Sequence, residues 1–199
     1  MFYASMNAEK TEIRKEAKLY WKEFLKDTRK IERMFEFLIQ SLKIYQPKRI
    51  FAYFPIENEF PVDRIFGVLQ SEIYLPVIIN NQDMKFSLYK KDGQFFPLGV
   101  NHFGIKEPLE MKEGIPHEND LVIIPSLGCN QDFVRLGRGG GFYDRYFSKN
   151  PSSRLSIKLS IIPEDLTQLS FMGFEHDLIL DLIITENNIV YKQKKIENM

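Results

Sequence analysis

Two neighbouring stretches, Leu121-Val-Ile-Ile124 and Arg135-Leu-Gly-Arg-Gly-Gly-Gly-Phe-Tyr-Asp-Arg-Tyr-Phe147, decide how this chain is read. The first is a short continuous apolar run, the pattern of a buried strand, and the tail of the second, from Phe142 to Phe147, opens a helix. A strand that leads into a glycine-rich loop and then a helix aims backbone N–H groups and a helix N-terminus at one place, where an anion is stabilised. Gly137, Gly139, Gly140 and Gly141 allow the backbone to approach a ligand closely, while Arg135, Arg138 and Arg145 offer planar donor forks matched to phosphate oxygens. The segment reads as a cradle for a nucleotide phosphate. It is not a Walker A loop, because no Gly-Lys-Ser/Thr follows a glycine at the required spacing, and the dinucleotide fingerprint needs a glycine where Phe142 stands.

Outward from that loop the chain alternates helix-like and strand-like pieces. Ile13, Ala17, Tyr20 and Phe24 recur at helical spacing, as do Ile31, Met34, Phe35, Leu38 and Leu42, which predicts two amphipathic helices. Arg49 to Phe54 reads as a strand ended by Pro55, and Pro61 as the start of a third helix with Val62, Ile65, Phe66 and Leu69 inward. Further strands are expected at Ile73–Ile79, Met84–Tyr89, Leu121–Ile124, Ser156–Ile161 and Leu180–Thr185, with long loops from Gly93 to Pro116. Strands separated by helices predict an α/β sheet covered on both faces, with ligands at the carboxyl ends of its strands.

The chain's 199 residues, 44% of them hydrophobic, suit one large domain, residues 1–199. Its 27 basic residues equal its 27 acidic ones, so no global field favours nucleic acid or an anionic membrane, and any anion site must be local. The lone cysteine, Cys129, excludes an intrachain disulfide and fits a reducing compartment. Nothing approaches the apolar length of a membrane span, and the expectation is a cytoplasmic monomer. His102, His117 and His176 lack metal-ligand spacing, which argues against zinc.

The glycine-rich string closely resembles the signature of the 5-formyltetrahydrofolate cyclo-ligases, also called 5,10-methenyltetrahydrofolate synthetases. That signature is Arg-Leu-Gly-Arg-Gly-x-Gly-aromatic-Tyr-Asp after a strand ending in Pro, and Ile124-Pro-Ser-Leu-Gly128 precedes it here. The resemblance extends to Lys10-Thr-Glu-Ile-Arg14, Phe54 to Glu59, Phe103-Gly-Ile-Lys-Glu-Pro108, Ile162-Pro163, Glu175-His-Asp177 and Ile183-Ile-Thr-Glu186. Phe142 departs from it, standing where many members carry tyrosine. The fold it implies is a three-layer α/β/α sandwich with a mostly parallel central sheet, NagB/RpiA/CoA transferase-like. The activity it implies is a ligase reaction that consumes ATP and needs Mg²⁺, converting 5-formyltetrahydrofolate to 5,10-methenyltetrahydrofolate with release of ADP and phosphate.

Residue by residue, several candidates have an ordinary alternative. Asp144 alone is a first-turn aspartate favoured by the helix dipole; beside a phosphate cradle it reads as a Mg²⁺ ligand, and the resemblance raises Asp177 to a second carboxylate near the metal. Lys10 and Arg14 share a helix face, which by itself suits a solvated pair; the resemblance implies that they hold ATP phosphates, together with Arg135, Leu136, Gly137, Arg138, Gly139, Gly140, Gly141, Phe142 and Tyr143. Arg138 and Lys10 are the expected catalytic cations. Phe54, Phe103 and Tyr143 are candidates to pack on the folate's flat ring and Glu59 to bond its polar edge, with a core role the alternative for Phe54. Phe103 and Tyr143 are both expected in loops. Two other readings stay open: a sugar-phosphate isomerase-like enzyme indifferent to ATP, and a non-catalytic folate- or nucleotide-binding protein.

Overall fold

The structure, a computed structural model, describes residues 2–193. Helices α1 (Phe2–Phe24) and α2 (Thr28–Tyr45) stand where the spacing placed them. Ala17, Trp21 and Phe24 of α1 and Ile31, Met34, Phe35, Leu38 and Leu42 of α2 are buried, one apolar stripe per helix. The Asp27 carboxylate accepts from the backbone N–H groups of Arg29 and Lys30 and so caps α2. Trp21 anchors α1 to the region of interest by donating its indole N–H to the Leu127 carbonyl at 3.1 Å.

The strands are β1 (Arg49–Phe51), β2 (Glu72–Ile78), β3 (Met84–Lys91), β4 (Gln94–Phe95), β5 (Leu98–Val100), β6 (Lys106–Pro108), β7 (Glu113–Gly114), β8 (Leu121–Ile123), β9 (Gly128–Cys129) and β10 (Arg135–Leu136). After them come α3 (Phe142–Lys149), β11 (Ile157–Ile161), β12 (Leu182–Ile184) and β13 (Ile189–Tyr191). Nine strands form the main sheet in the order β13-β12-β11-β8-β1-β2-β3-β4, with β7 also paired to β3. Pairing from β12 through β11, β8 and β1 to β2 is parallel, in registers such as Ile50 opposite Ile73 and Leu121 and Leu159 opposite Leu182. The outer pairings are antiparallel. Ile50, Phe51, Leu121, Val122, Ile123 and Leu182 are buried, as a parallel sheet covered on both faces requires. On α3, Tyr143 and Tyr146 meet the ring of Phe86 in β3 edge-on, and Phe86 meets Phe51 of β1 in the same way. The result is the expected α/β architecture, a mostly parallel central sheet flanked by helices.

From β1 the chain continues to β2 on one side, whereas from β8 it continues to β11 and β12 on the other. The adjacent pair β1 and β8 is thus the switch point of the sheet, where loops leaving the strand ends diverge and leave a crevice. The loop after β1 carries Phe54 to Glu59, and the loop after β8 leads through the β9–β10 hairpin to the glycines.

Two expectations are corrected. The third helix shrinks to one 3₁₀ turn, Val62–Ile65. The buried ammonium of Lys90 in β3 takes the carbonyls of Phe66 and Leu69, which a continued helix would use internally. The segment Gly93 to Pro116 is not loop alone but holds β4 to β7, each only two or three residues long and too short to show a period in sequence.

Candidate functional site

Two cavities meet along the glycine-rich loop. One, of about 360 Å³, is walled by Lys10, Arg14, Leu136, Gly137, Gly139, Asp144 and Asp177, with Arg145, Phe174 and His176. The other, of about 370 Å³, is mostly apolar and is bounded by Phe54, Glu59, Phe103, Arg138, Gly140, Phe142 and Tyr143. Arg135 and Gly141 belong to both walls. All the residues expected to bind nucleotide, folate or metal therefore line one cavity or the other, although they divide differently from the expected grouping.

The loop's shape follows from its glycines. Gly139 and Gly141 have φ of +106° and +68°, where a side chain is strained. A Cβ on Gly137 would stand 2.6 Å from the Arg135 guanidinium, so a side chain there would push that group against its bonds to Asp144 and Pro125. Gly141 also begins α3 with no side chain capping the first turn. Arg14 donates Nε–H to the Gly137 carbonyl at 2.9 Å, and Arg145 clamps the loop through the carbonyls of Gly140 at 2.8 Å and Gln82 at 2.7 Å.

In the charged cavity each carboxylate already faces a cation. Lys10 Nζ lies 2.7 Å from Asp177 Oδ2 and 4.2 Å from the centre of the Phe174 ring, which itself stacks on His176. Asp177 Oδ2 also accepts from the Phe174 N–H at 2.9 Å. Asp144 accepts from Arg135 at 3.0 Å through Oδ2 and from the Leu178 N–H at 3.1 Å through Oδ1. Burial pushes the Asp144 carboxyl up, but Arg135 and these N–H groups outweigh it and hold the group below its ordinary value. Among the described residues, no group of three or more His, Cys, Asp and Glu side chains gathers to hold a metal alone. Two carboxylates on one wall of an anion pocket nevertheless suit Mg²⁺, which takes one or two carboxylates together with substrate phosphates.

Several placements differ from expectation. Arg135 is buried beneath the loop, its two terminal nitrogens bonded at 3.0 Å to the Pro125 carbonyl and to Asp144, while its buried Nε has no partner. Tyr143 is not in a loop: it is in the first turn of α3, buried, and its hydroxyl has no hydrogen-bond partner. Arg138 does not face the cavity of Lys10; its Nε bonds Glu59 Oε1 at 2.8 Å and its NH2 group the Glu57 carbonyl, on the apolar side. Gly140 and Phe142, expected around the nucleotide, also line the apolar cavity. Phe103 is in a loop and 52% exposed, its ring edge-on to Phe142. Phe54 is half-buried against Phe66 and Tyr89.

The Glu59 carboxyl is pushed above its ordinary value by burial, against the pull of Arg138. Sequence reasoning missed Phe174 and half of the apolar cavity's lining, including Pro76, Ile78 and Met84. The wall residues are ordinary sheet positions with no local signal, and Phe174 is marked only by its nearness to Asp177.

Comparison with known proteins places this chain. The model of the 5-formyltetrahydrofolate cyclo-ligase family matches residues 5–186. A Haemophilus influenzae 5-formyltetrahydrofolate cyclo-ligase is 34% identical over 107 residues, 50% of this chain and 56% of that protein. The alignment thus spans little more than half of that relative's length. The Mycoplasma genitalium protein of the same name is 29% identical over 77% of this chain and 79% of its own. The structure of Aquifex aeolicus 5,10-methenyltetrahydrofolate synthetase superposes with a TM-score of 0.76 over 96% of both chains at 24% identity, a likeness of fold. The chain belongs to the 5-formyltetrahydrofolate cyclo-ligase family.

Proposed function

We propose that this member of the 5-formyltetrahydrofolate cyclo-ligase family uses ATP to close the ring of 5-formyltetrahydrofolate, giving 5,10-methenyltetrahydrofolate, ADP and phosphate. The observation that carries the reading is the pair of cavities, one cationic and one apolar, sharing a wall at Arg135 and Gly141. A nucleotide's phosphates fit the first and a flat heterocycle the second, and the lining the two cavities share is where the γ-phosphate and the formyl group would meet. A sugar-phosphate isomerase would leave the apolar cavity without an occupant.

The formyl group on N5 is amide-like and a poor electrophile. Transfer of the γ-phosphoryl group to its oxygen, with ADP leaving, makes that oxygen part of a good leaving group. The N10 lone pair then attacks the formyl carbon, the N10 proton passes to solvent, and the C–O bond breaks to release phosphate. The protein's share is positioning and charge neutralisation. Lys10 and Arg14 supply positive charge to the phosphates, Phe54 and Phe103 flank the heterocycle, and Glu59 accepts from its N–H edge. Asp144 and Asp177 would hold Mg²⁺, which would neutralise phosphate charge when bound. Mixing the pure protein with 5-formyltetrahydrofolate and Mg-ATP tests this: the methenyl product's near-ultraviolet absorbance must appear, and must depend on both ATP and a divalent ion. Product formed equally well in the presence of a chelator removes the metal from the reading.

A further inference from the structure

Arg138 is the one arginine of the glycine loop bound to a side chain of the apolar cavity rather than to the loop or its underlay. Its Nε donates to Glu59 Oε1 at 2.8 Å, and its NH2 group to the Glu57 carbonyl. The other oxygen of Glu59 accepts from the Ile56 N–H at 3.1 Å, so both oxygens are engaged. The Glu59 side chain is 7% exposed and that of Arg138 29%, a pair shielded enough that separating it without replacement is costly. In the wall of the apolar cavity the charged residues are Glu59, Arg138 and Arg135, of which Glu59 alone is an acceptor, and the terminal nitrogens of Arg135 are held by Asp144 and Pro125. A heterocycle whose N–H edge needs an acceptor therefore meets Glu59 and displaces Arg138. Arg138 lies between Gly137 and Gly139, which line the opposite, cationic cavity. A phosphate bound on that side would offer a released guanidinium an anion.

We propose that Glu59 and Arg138 form a substrate-operated latch, in which Glu59 is a positioning residue that holds Arg138 away from the phosphate site until a heterocycle takes its place. The inference rests on the function proposed above and adds to it that filling one cavity strengthens binding in the other. Because the coupling is thermodynamic, it is reciprocal.

The test is calorimetry with the magnesium complex of a non-hydrolysable ATP analogue, titrated with and without saturating 5-formyltetrahydrofolate, so that no turnover intervenes. In the wild type the folate is expected to tighten analogue binding by about 5-fold or more, the usual scale of such coupling. In Arg138→Ala the two titrations are expected to agree within error. In Glu59→Gln, which keeps the shape and removes the charge, the analogue is expected to bind more tightly than to wild type even without folate. A structural role alone does not move this ratio. Coupling that survives in Arg138→Ala, or a Glu59→Gln protein whose analogue affinity without folate is no higher than wild type, overturns the latch. Wild type that forms methenyl product yet shows no coupling overturns it while leaving the function standing, whereas wild type that forms no product overturns both.

Discussion

Lys10 and Asp177, 167 positions apart, are joined by a 2.7 Å contact in the lining of the cationic cavity. The ammonium is buried and is also set over the Phe174 ring. It thus reaches the cavity from α1 while its partner arrives from the segment before β12, and any phosphate entering must share or take Lys10 from Asp177. Release of Asp177 by that exchange would make a carboxylate oxygen available to a metal carried in with the nucleotide.

Lys10→Ala removes a charge-assisted donor from the expected phosphate site. Such bonds contribute about 1.5–3 kcal/mol, so the Kd for Mg-ATP is expected to rise by about 10-fold or more. Titration calorimetry measures it, with far-ultraviolet circular dichroism to show that the fold persists. An unchanged Kd would return Lys10 to a purely structural partner of Asp177.

Asp144→Asn is expected to weaken the empty protein as well as its chemistry. Arg135 has a side chain only 5% exposed, and without Asp144 it keeps a buried charge and loses its anionic partner. Breaking such a pair costs about 3–5 kcal/mol, which urea unfolding at pH 7 reads directly. A variant as stable as wild type shows that Arg135 finds its compensation elsewhere.

The same pair sets a pH dependence. The Asp144 carboxyl is held below its ordinary value of 3.8, with burial opposing and Arg135 and the neighbouring N–H groups prevailing. A carboxylate depressed in the folded state contributes its stability above the unfolded value, and that contribution is lost as pH falls through the folded one. The melting-temperature gap between wild type and Asp144→Asn is therefore expected to be full at pH 6 to 7 and to narrow below about pH 4. A gap independent of pH between 7 and 3 would mean that Asp144 acts through shape and not charge.

Tyr143 and Phe103 are expected to part company on mutation. Tyr143→Ala empties a buried position against Phe86 and is expected to cost about 3–5 kcal/mol of stability. Tyr143→Phe removes a hydroxyl that is buried without a partner and is expected to leave stability unchanged or slightly higher. Phe103→Ala, at an exposed loop position, is expected to keep the melting temperature within a few degrees and to raise the folate KM. Thermal melts and steady-state kinetics on the three variants decide it; a Phe103→Ala protein that melts early with an unchanged KM assigns that ring to packing.

Arg138→Lys keeps the charge but loses the fork that reaches both Glu59 and the Glu57 carbonyl. A fall in kcat of about 10-fold or more with a smaller change in nucleotide Kd is expected if the guanidinium tightens on phosphate during transfer. Preserved kcat with collapsed ATP affinity would make it a ground-state anchor instead.

Much of this protein was legible in the linear chain because the relevant physics is local. The i,i+3 and i,i+4 spacing of Ile31, Met34, Phe35, Leu38 and Leu42 determines α2, and the four-residue offset of Lys10 and Arg14 puts both on one face of α1. The apolar run at Leu121 predicts a strand buried on both faces, and the crowded glycines of residues 137 to 141 predict a backbone that approaches a ligand. What only the tertiary structure decided is the choice of partners across long separations. Nothing near Arg138 in sequence reveals that it faces Glu59, 79 positions away, and nothing near Arg135 reveals that its fork is taken by Asp144 and Pro125. A guanidinium goes where an acceptor and enough burial coincide, and that coincidence exists only once β1 and β8 lie side by side and the loops after them meet at the switch point.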